Sequence, residues 1–480
     1  MPRLPALLLP LLLAASCAPP PPPNVLLLVS DTLRADALSC TGGPARAPHL
    51  CRLAESGVLF ENAYSNGSWT LPASVALLTG KYASVFARVG EELADKNDFL
   101  FVPGEEELLA ERLAERGYQA VAFVENELAL KPRSFQGFRV HDLQDLGQLR
   151  RAYGGFALAH GIDVSDYRYL QLLPSLRYLL EEARESFFAV SWIMDPHAVY
   201  HPPPRFAATL EVDPARLPHP PDFYTRLAAR ANEARGWLDL NQLAPGMSEV
   251  ELDWLRALYH KEVESVDERA GLLLDALEQR GLRERTYVIF TSDHGEGFRE
   301  HGKVFHADPW FYQEFVRVPL IVAGPGIPAG RRVARAVSHV DLVPTLRDLL
   351  GVAGLEGLQG ASLRGLLLEG VDLVPERIQY AVGNGTARGT GHGALVDGRY
   401  KLVLRPEGNE LYDLEADPGE RRDLAAREPE RLRALEERAA ALHAENEARR
   451  QALGPLGDAE ELERAGAETR EELRALGYVE

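Results

Sequence analysis

Cysteine is scarce in this chain, with three residues in 480. Cys17 falls in the N-terminal segment considered below, so only Cys40 and Cys51 remain for the folded part. Small proteins that depend on disulfides carry a much denser set of cysteines. The sequence therefore excludes a disulfide scaffold. It leaves open whether Cys40 and Cys51 form one bridge in an oxidising compartment or remain two free thiols.

An excess of positive charge is also missing. Lys and Arg number 52 against 71 Asp and Glu, which gives a formal net charge of -19. Such a surface repels nucleic acids and anionic lipid surfaces, so nucleic acid is excluded as a partner. An anionic substrate would need local positive charge, from a bound cation or from residues such as Lys81 and Lys303.

The apolar run at the N-terminus, from Leu4 to Ala15, is too short to span a bilayer. It follows Arg3 and precedes Ser16-Cys17, an order typical of a bacterial export signal. The end of this run resembles a lipoprotein signal, in which the cysteine becomes the lipidated first residue. An ordinary cleaved signal peptide is the alternative, and both predict a periplasmic or cell-surface protein.

We therefore predict a lipoprotein-type signal peptide over residues 1–17 and a lipid anchor at Cys17, through which the protein would associate with a membrane. Residues 18–23 consist of one alanine and five prolines. Proline fixes its backbone angle, so this segment is predicted to be a stiff tether between the membrane and the folded domain.

Three segments have the pattern of strands buried on both faces, and each ends in an aspartate. They are Asn24–Asp31, Ser186–Asp195 and Tyr287–Asp293. Helical patterns lie between them, so we predict an α/β fold with a central, mostly parallel sheet flanked by helices. Ligands of such sheets bind beyond the carboxyl ends of the strands, which would bring the three aspartates to one site.

Apolar residues that recur every three or four positions predict the helices. These are Pro48–Ser56, Ser74–Leu78, Glu105–Arg116 and Glu249–Arg280. Residues 144–241 show no clean period outside their central strand, and we interpret them as insertions that shape a pocket. We predict a catalytic domain over residues 24–376, a small subdomain of short strands over 377–425, and a charged helical tail over 426–480. The tail is expected to be a solvated amphipathic helix, with a partner-binding helix as the alternative.

Potential metal ligands are concentrated at the strand ends and in the loops that follow. Asp293 and His294 stand side by side, and Gly295 allows the chain to turn there, so both side chains can reach one cation. The other candidates are Asp31, Asp195, His197, His201, His301 and His306. This concentration predicts a divalent-metal site.

Thr70 precedes a predicted helix, where free backbone N–H groups and the helix dipole favour an anion. Its hydroxyl could be a helix cap and nothing more. A cation beside it would lower its pKa and make it a nucleophile, and the Asp31, Asp293 and His294 set would hold that cation.

The order of these motifs resembles the sulfatase family of the alkaline phosphatase superfamily, over residues 24–425. The matching segments are Asn24–Asp31 with Leu33–Asp36, Ala47–Leu50, Gly57–Tyr64, Leu77–Gly80, Met194–His197, Ser292–Gly302, Val316–Val322, Ser338–Thr345 and Glu410–Pro418. The resemblance implies the alkaline-phosphatase-like sulfatase fold, in which a mostly parallel sheet flanked by helices carries a small C-terminal α+β subdomain.

The chain departs from that family at the nucleophile. Sulfatases have Cys or Ser, any residue, Pro, Ser and Arg, whereas residues 70–74 here are Thr-Leu-Pro-Ala-Ser. Threonine cannot be converted to the formylglycine that sulfatases use, and the arginine is missing. Two adjacent acids are usual where Asp31-Thr32 stands, which removes one expected calcium ligand. Because His294 offers nitrogen, zinc or manganese is favoured, with calcium as a further option.

The segment around Thr70 is similar to the threonine nucleophile segment of nucleotide pyrophosphatase/phosphodiesterases and of phosphoethanolamine transferases in the same superfamily. The implied roles are Asp31, Asp293 and His294 as metal ligands, Thr70 as nucleophile and ligand, and His197 and Lys303 as contacts to the anion or leaving group. Asp195, His301 and His306 would complete a second metal site, as in the two-metal members.

The sequence thus predicts an exported, metal-dependent hydrolase or transferase that acts on sulfate or phosphate esters, carried by small molecules, glycans or lipids. Hydrolysis and transfer remain open, since the choice depends on whether water or an alcohol reaches the modified threonine. The alternative is a degenerate member that binds an anionic glycan or lipid without turnover.

Overall fold

The computed structural model describes residues 21–87, 100–184, 186–198, 200–211, 246–306, 310–372, 379–382 and 392–454, and the single positions 215, 217 and 456. The predicted signal peptide, the candidate anchor Cys17 and the first half of the tether lie outside the described residues. In the part that is described, no helix combines the length and apolar character needed to cross a bilayer.

An eight-stranded sheet forms the centre of the molecule. Its strands are β1 (Asn24–Ser30), β2 (Val58–Tyr64), β3 (Gln119–Val124), β4 (Arg139–Asp142), β5 (Phe187–Ile193), β6 (Thr286–Ser292), β7 (Arg317–Ala323) and β8 (Arg331–Ser338). The spatial order is β4-β3-β5-β1-β6-β7-β2-β8, and β7 alone runs antiparallel to its neighbours within this sheet. The predicted fold class is therefore confirmed.

Helices flank this sheet. They are α1 (Pro48–Glu55), α2 (Thr70–Thr79), α3 (Leu109–Glu115), α4 (Leu146–His160), α5 (Tyr167–Arg177), α6 (Pro204–Ala207), α7 (Glu249–Gln279), α8 (Gln313–Val316), α9 (Leu342–Leu350) and α10 (Pro429–Leu453). Short 3-10 turns lie at Ser39–Thr41, Ala83–Phe86, Glu127–Ala129, Arg283–Arg285 and His339–Asp341, and π turns at Tyr178–Glu182 and Gly365–Glu369.

Helix α2 begins earlier than the sequence predicted. Thr70 is its first residue, after Trp69 in an extended conformation, and does not precede the helix. Pro72 lies in the first turn, where the N–H that proline lacks has no partner within the helix to lose. The helix therefore accommodates this proline and starts at the candidate nucleophile.

The prediction of irregular insertions after residue 144 is wrong for the first part of that segment. Helices α4 and α5 occupy it, and α5 is buried from Arg168 through Leu176. A helix that is buried on every side shows no polar face and so no amphipathic period. Most of the segment beyond residue 211 lies outside the described positions.

The core has two layers because successive side chains of a buried strand point to opposite faces. Leu26 and Leu28 of β1 pack in one cluster with Val263 and Val266 of α7. Val25, Leu27 and Val29 pack in the other, which includes residues of α3 and α9. Both faces of β1 are thus covered, as its continuous apolar run predicted.

A second sheet, antiparallel and four-stranded, follows at the C-terminus in the order β12-β11-β10-β9. Its strands are β9 (Gln379–Val382), β10 (Gly393–Asp397), β11 (Tyr400–Leu404) and β12 (Glu410–Asp413). Helix α10 packs on this sheet through Leu435 and Ala439. Further along, Asn446 is 1% exposed and donates a hydrogen bond of 3.0 Å to Ser84 Oγ. The described part of the tail is therefore a helix that packs along one side, as an amphipathic helix does.

Candidate active site

The ends of three adjacent strands create the site. Strand β1 lies between β5 and β6 and is parallel to both, so their carboxyl ends meet at one edge of the sheet. Asp31 directly follows β1, and Asp293 and His294 follow β6. One ligand atom from each of these three residues lies within 4.8 Å of the others. All three residues are fully buried.

Each of the three side chains is oriented through hydrogen bonding at one of its polar atoms, while its other polar atom makes no hydrogen bond. Asp31 Oδ2 accepts from Asn126 Nδ2 at 2.6 Å, and Asp293 Oδ1 accepts the backbone N–H groups of Thr32 (3.1 Å) and His294 (2.8 Å). His294 Nδ1 is 2.9 Å from the carbonyl oxygen of Gly295. A nitrogen facing a carbonyl carries the proton, which leaves the lone pair on Nε2.

Three buried atoms have no hydrogen-bond partner among the described residues: Asp31 Oδ1, Asp293 Oδ2 and His294 Nε2. Buried polar atoms in native proteins are almost always paired. His294 Nε2 lies 3.6 Å from Asp31 Oδ1 and 3.5 Å from Asp293 Oδ2. Three converging acceptors, each oriented by a partner on its other atom, fit a divalent cation.

The electrostatics agree with this fit. Burial raises the pKa of Asp293 to about 7. Burial, followed by the charge of Asp293, raises the pKa of Asp31 to about 6. Burial and the neighbouring His306 lower the pKa of His294 to about 3, so its imidazole is neutral. A bound cation would offset the repulsion between the two carboxylates, and a neutral imidazole is the form that binds metals.

Thr70 lies beside these ligands. Its hydroxyl oxygen is 3.3 Å from Asn126 Nδ2, and the nearby hydroxyl favours the charged form of Asp293, which partly offsets the rise in the pKa of that carboxyl. Helix α2 carries it at its first position, where backbone N–H groups lack partners within the helix. The structure thus brings together Asp31, Thr70, Asp293 and His294.

Two further histidines border this group. The ring centroid of His306 lies 4.7 Å from that of His294 and 4.6 Å from that of His197. His306 Nδ1 is 3.3 Å from Glu296 Oε1, and Glu296 is fully buried. His306 therefore lies next to the candidate ligand His294, and His197 lies on the other side of His306.

Asp195 is not part of the candidate metal ligands. Its Oδ2 is 2.7 Å from Arg168 Nε and 3.6 Å from Arg269 Nη1. Both arginines are almost completely buried, so two guanidinium groups neutralise this carboxylate in the way a cation otherwise would.

His301 and Lys303 have other partners. His301 Nδ1 is 2.7 Å from Glu314 Oε1 and its ring stacks on Tyr312, while Lys303 Nζ lies 4.9 Å from the ring centre of Trp310. The second metal set of Asp195, His301 and His306 is thus not assembled, because two of its members have partners in other parts of the fold.

Sequence reasoning missed Asn126, Glu296 and Thr32. Asn126 follows β3 by two residues, so the rule that found Asp31 and Asp293 would have found it had β3 been recognised. Thr32 has a φ of 58°, rare for a β-branched residue, and its buried hydroxyl has no hydrogen-bond partner in the described part of the chain. Strain of this kind is typical of functional sites.

Family comparison gives two matches. The sulfatase family model matches residues 23–352, and the model of the C-terminal part of N-sulphoglucosamine sulphohydrolase matches residues 300–445. The chain is 28% identical over 286 residues to arylsulfatase K of Xenopus laevis, which covers 57% of this chain and 50% of that protein. It is 35% identical over 181 residues to choline-sulfatase of Rhizobium meliloti (strain 1021), which covers 35% and 33% of the two chains. The chain thus spans half or less of the length of these two relatives.

Solved structures show the same architecture. The phosphonate monoester hydrolase of Agrobacterium radiobacter superimposes with a TM-score of 0.68 at 22% identity, covering 88% of this chain and 96% of the other. A protein solved in complex with D-glucosamine-2-N,6-O-disulfate gives a TM-score of 0.62 at 20% identity, with 90% and 99% covered. At these identities the likeness concerns the fold.

The sulfatase model covers well over half of the 480 residues, and its range includes all four residues that converge at the ends of β1 and β6. The chain belongs to the sulfatase family, within the alkaline phosphatase superfamily.

Proposed function

We propose that this protein is a metal-dependent hydrolase of singly charged sulfate or phosphate esters, with Thr70 as its nucleophile. The observation that carries the proposal is the position of the Thr70 hydroxyl beside the candidate metal ligands: Asn126 Nδ2 lies 3.3 Å from Thr70 Oγ1 and 2.6 Å from Asp31 Oδ2. Threonine cannot be converted to formylglycine, so its own hydroxyl is the attacking group.

In the proposed reaction, Thr70 Oγ1 loses its proton and attacks the sulfur or phosphorus atom of the ester. A bond forms from Oγ1 to that atom, the bond to the leaving oxygen breaks, and the released alcohol takes up a proton. Water then cleaves the ester on Thr70 and restores the hydroxyl, so the net reaction consumes one water. A bound divalent cation would favour the alkoxide and withdraw charge from the ester.

The histidines that follow His294 in a contact chain are placed to touch the substrate. His306 lies beside His294 and His197 lies beside His306, and burial and the neighbouring His197 hold the pKa of His306 well below its usual range. Imidazoles at this position can hydrogen bond the ester oxygens or the leaving oxygen without adding much positive charge. We assign His306 the contact to the substrate that the resemblance implied for Lys303.

The charge balance supports a singly charged group. Four buried or candidate cationic side chains of the described residues already have partners. Arg168 and Arg269 pair with buried carboxylates, Lys81 pairs with Glu106, and Lys303 lies on Trp310. A doubly charged phosphate monoester would need a second cationic contact, whereas a sulfate monoester, phosphate diester or phosphonate monoester carries one charge.

Export and a lipid anchor at Cys17 remain part of the proposal. The carbonyl of Pro22 accepts hydrogen bonds from Ser186 Oγ and Arg285, and the carbonyl of Pro23 accepts from Tyr118. These contacts fix the tether at the amino end of β1, the opposite end of the strand from Asp31. An anchor at Cys17 would therefore direct the site away from its membrane and towards dissolved substrates.

The test is hydrolysis of nitrophenyl sulfate, nitrophenyl phosphate, bis-nitrophenyl phosphate and a nitrophenyl phosphonate, each with zinc, manganese or calcium. We expect the three singly charged esters to be cleaved preferentially and Thr70→Ala to abolish activity. Thr79→Ala is the matched control, since Thr79 lies on the same helix and its hydroxyl bonds only to local backbone.

Activity that survives Thr70→Ala would refute the threonine mechanism. Preference for the doubly charged nitrophenyl phosphate would refute the charge argument. Tight binding of a sulfated glycan with no turnover in any metal would instead support the alternative function, a binding protein that has lost catalysis.

A further inference from the structure

Asn126 occupies a place at the site that none of the assigned roles explains. It is 5% exposed, and its Nδ2 lies 2.6 Å from Asp31 Oδ2 and 3.3 Å from Thr70 Oγ1. One amide group thus contacts both a candidate metal ligand and the candidate attacking atom.

The orientation of this amide is fixed by its other end. Asn126 Oδ1 accepts the backbone N–H of Leu128 at 3.0 Å, which is possible only for the oxygen of the amide. The NH₂ group therefore faces Asp31 and Thr70. The amide oxygen faces a backbone N–H group and the NH₂ group faces a carboxylate, so the side chain has a single consistent orientation.

The backbone that carries Asn126 is also held firmly. Glu125 Oε2 accepts the backbone N–H of Met194 at 2.9 Å, and its carboxylate pairs with the buried Arg269. The backbone N–H of Glu125 donates to the carbonyl of Trp192 at 3.1 Å. A donor supported in this way keeps its geometry during a reaction, which is what electrostatic stabilisation requires.

The direction of the hydrogen bonds at Thr70 follows from the chemistry of the groups. An amide nitrogen donates and does not accept, so Thr70 Oγ1 is the acceptor from Asn126. The proton of the Thr70 hydroxyl therefore points away from Asn126. As Oγ1 becomes negative, the bond from Asn126 becomes charge-assisted and stronger.

We propose that Asn126 is a catalytic residue that donates a hydrogen bond to the attacking oxygen of Thr70, orienting it and stabilising its developing negative charge. The proposal rests on the proposed function, since it takes Thr70 as the nucleophile. Asn126 gains and loses no proton in this role. Its second N–H holds Asp31, so one side chain couples the position of a metal ligand to that of the nucleophile.

The first experiment compares Asn126→Ala and Asn126→Asp with the full-length protein at saturating metal. We expect kcat to fall by at least about 100-fold in Asn126→Ala, with KM changed little, the size typical for loss of one such donor. Asn126→Asp should lose more, because it places an acceptor and a negative charge against Thr70. Gln144→Ala is the control, since Gln144 bonds to the carbonyl of Glu125 and not to Thr70.

Metal affinity, measured by titration with a chelating dye, separates this role from a structural one. Because Asn126 also holds Asp31, we expect metal affinity to fall by about 10- to 100-fold in Asn126→Ala, while the loss of kcat persists at saturating metal. If the variant regains full kcat once metal is saturating, Asn126 only holds Asp31 and the proposal is overturned.

A second experiment does not depend on turnover, so it remains informative if the proposed esters are not cleaved. The thiol introduced by Thr70→Cys is alkylated with iodoacetamide, and modification at residue 70 is followed by peptide mass spectrometry. We expect alkylation to slow about tenfold when Asn126→Ala is added, because the donor to the attacking atom is lost. Equal rates in the two backgrounds would refute the proposal whatever the outcome of the ester assays.

Discussion

Two groups of buried acids lie at the same edge of the central sheet, and they differ in what neutralises them. Asp31 and Asp293 face each other with a neutral imidazole between them, and each leaves one oxygen without a hydrogen bond. Glu125, Asp195 and Glu262 are equally buried, but Arg168 and Arg269 are inserted among them. We name these the ligand group and the arginine group.

The comparison shows how to distinguish a candidate metal ligand from a structural acid. Burial alone does not, since members of both groups are 5% exposed or less. The distinguishing feature is whether the protein itself supplies the opposite charge. Acids that are left unpaired in the interior need a cation from outside, whereas paired acids hold helices and loops together.

The largest effect is expected from Asp293→Asn in the ligand group. The amide keeps the shape of the side chain but removes the charge that the cation needs, so activity should fall by at least about 1000-fold, with loss of bound metal. The metal-free variant should unfold at a higher temperature than metal-free wild type at pH 8, because one repelling charge is gone. Metal content by elemental analysis and thermal unfolding with EDTA check both points. Full metal occupancy in Asp293→Asn would contradict this assignment.

Breaking the arginine group should change stability more than chemistry. Arg269→Met leaves Glu125 and Asp195 without one cationic partner each, and removal of one side of a buried pair costs about 3–5 kcal/mol. Urea unfolding of the variant beside wild type measures the loss. Metal content per folded molecule should remain unchanged. A loss of metal with no change in stability would reverse the distinction between the two groups.

Asp195→Asn sharpens the comparison at a single residue. Arg168 keeps Glu262 and Asp166 as partners and Arg269 keeps Glu125, so the expected cost is smaller, about 1–3 kcal/mol. The same substitution should leave metal stoichiometry unchanged. If Asp195→Asn instead removes metal as Asp293→Asn does, Asp195 is a ligand and its pairing with the arginines is secondary.

The ligand group should also make the stability of the metal-free protein depend on pH. Burial raises the pKa of Asp31 to about 6 and of Asp293 to about 7, from the ordinary value of 3.8. A raised carboxylate pKa disfavours the charged form in the folded state, so metal-free protein loses stability as pH rises from about 4 to about 7. The gap in Tm between metal-loaded and EDTA-treated protein should therefore widen over that window by a few degrees. In Asp293→Asn, the widening should be largely absent.

Much of the architecture could be predicted from the sequence, because β1, β5 and β6 are continuous apolar runs that end in polar residues. The same pattern correctly placed Asp31 and Asp293 at one edge of the sheet. The pattern predicted Asp195 at the same site, because the residues before Asp195 form an equivalent apolar run. Asp195 differs from the two metal-ligand candidates because α5 and α7 place Arg168 and Arg269 beside it. These arginines are distant along the chain, so no local sequence pattern predicts the contact.

Other features were unpredictable for related physical reasons. Helix α5 is buried on every side, so no amphipathic period marked it in the sequence. The end of β3 was not recognised as a strand end, and Asn126 was therefore overlooked. Lys303 was favoured for its charge, but a lysine stem packs well on an aromatic ring and Trp310 holds it. His306, three residues further on, lies beside His294 instead.

The central position of β1 has a consequence for the order in which the protein can be built. Residue 24, at the start of the first strand, bonds to Phe187 and Thr286, which are 163 and 262 residues away along the chain. A ribosome must therefore synthesise more than half of the molecule before the second neighbour of β1 exists. Until then the apolar stretch from Val25 to Val29 has a neighbouring strand on at most one side. Its free edge can pair with the wrong segment. Contacts at such separation also form slowly, so the first strand to be made is among the last to be enclosed by both of its neighbours.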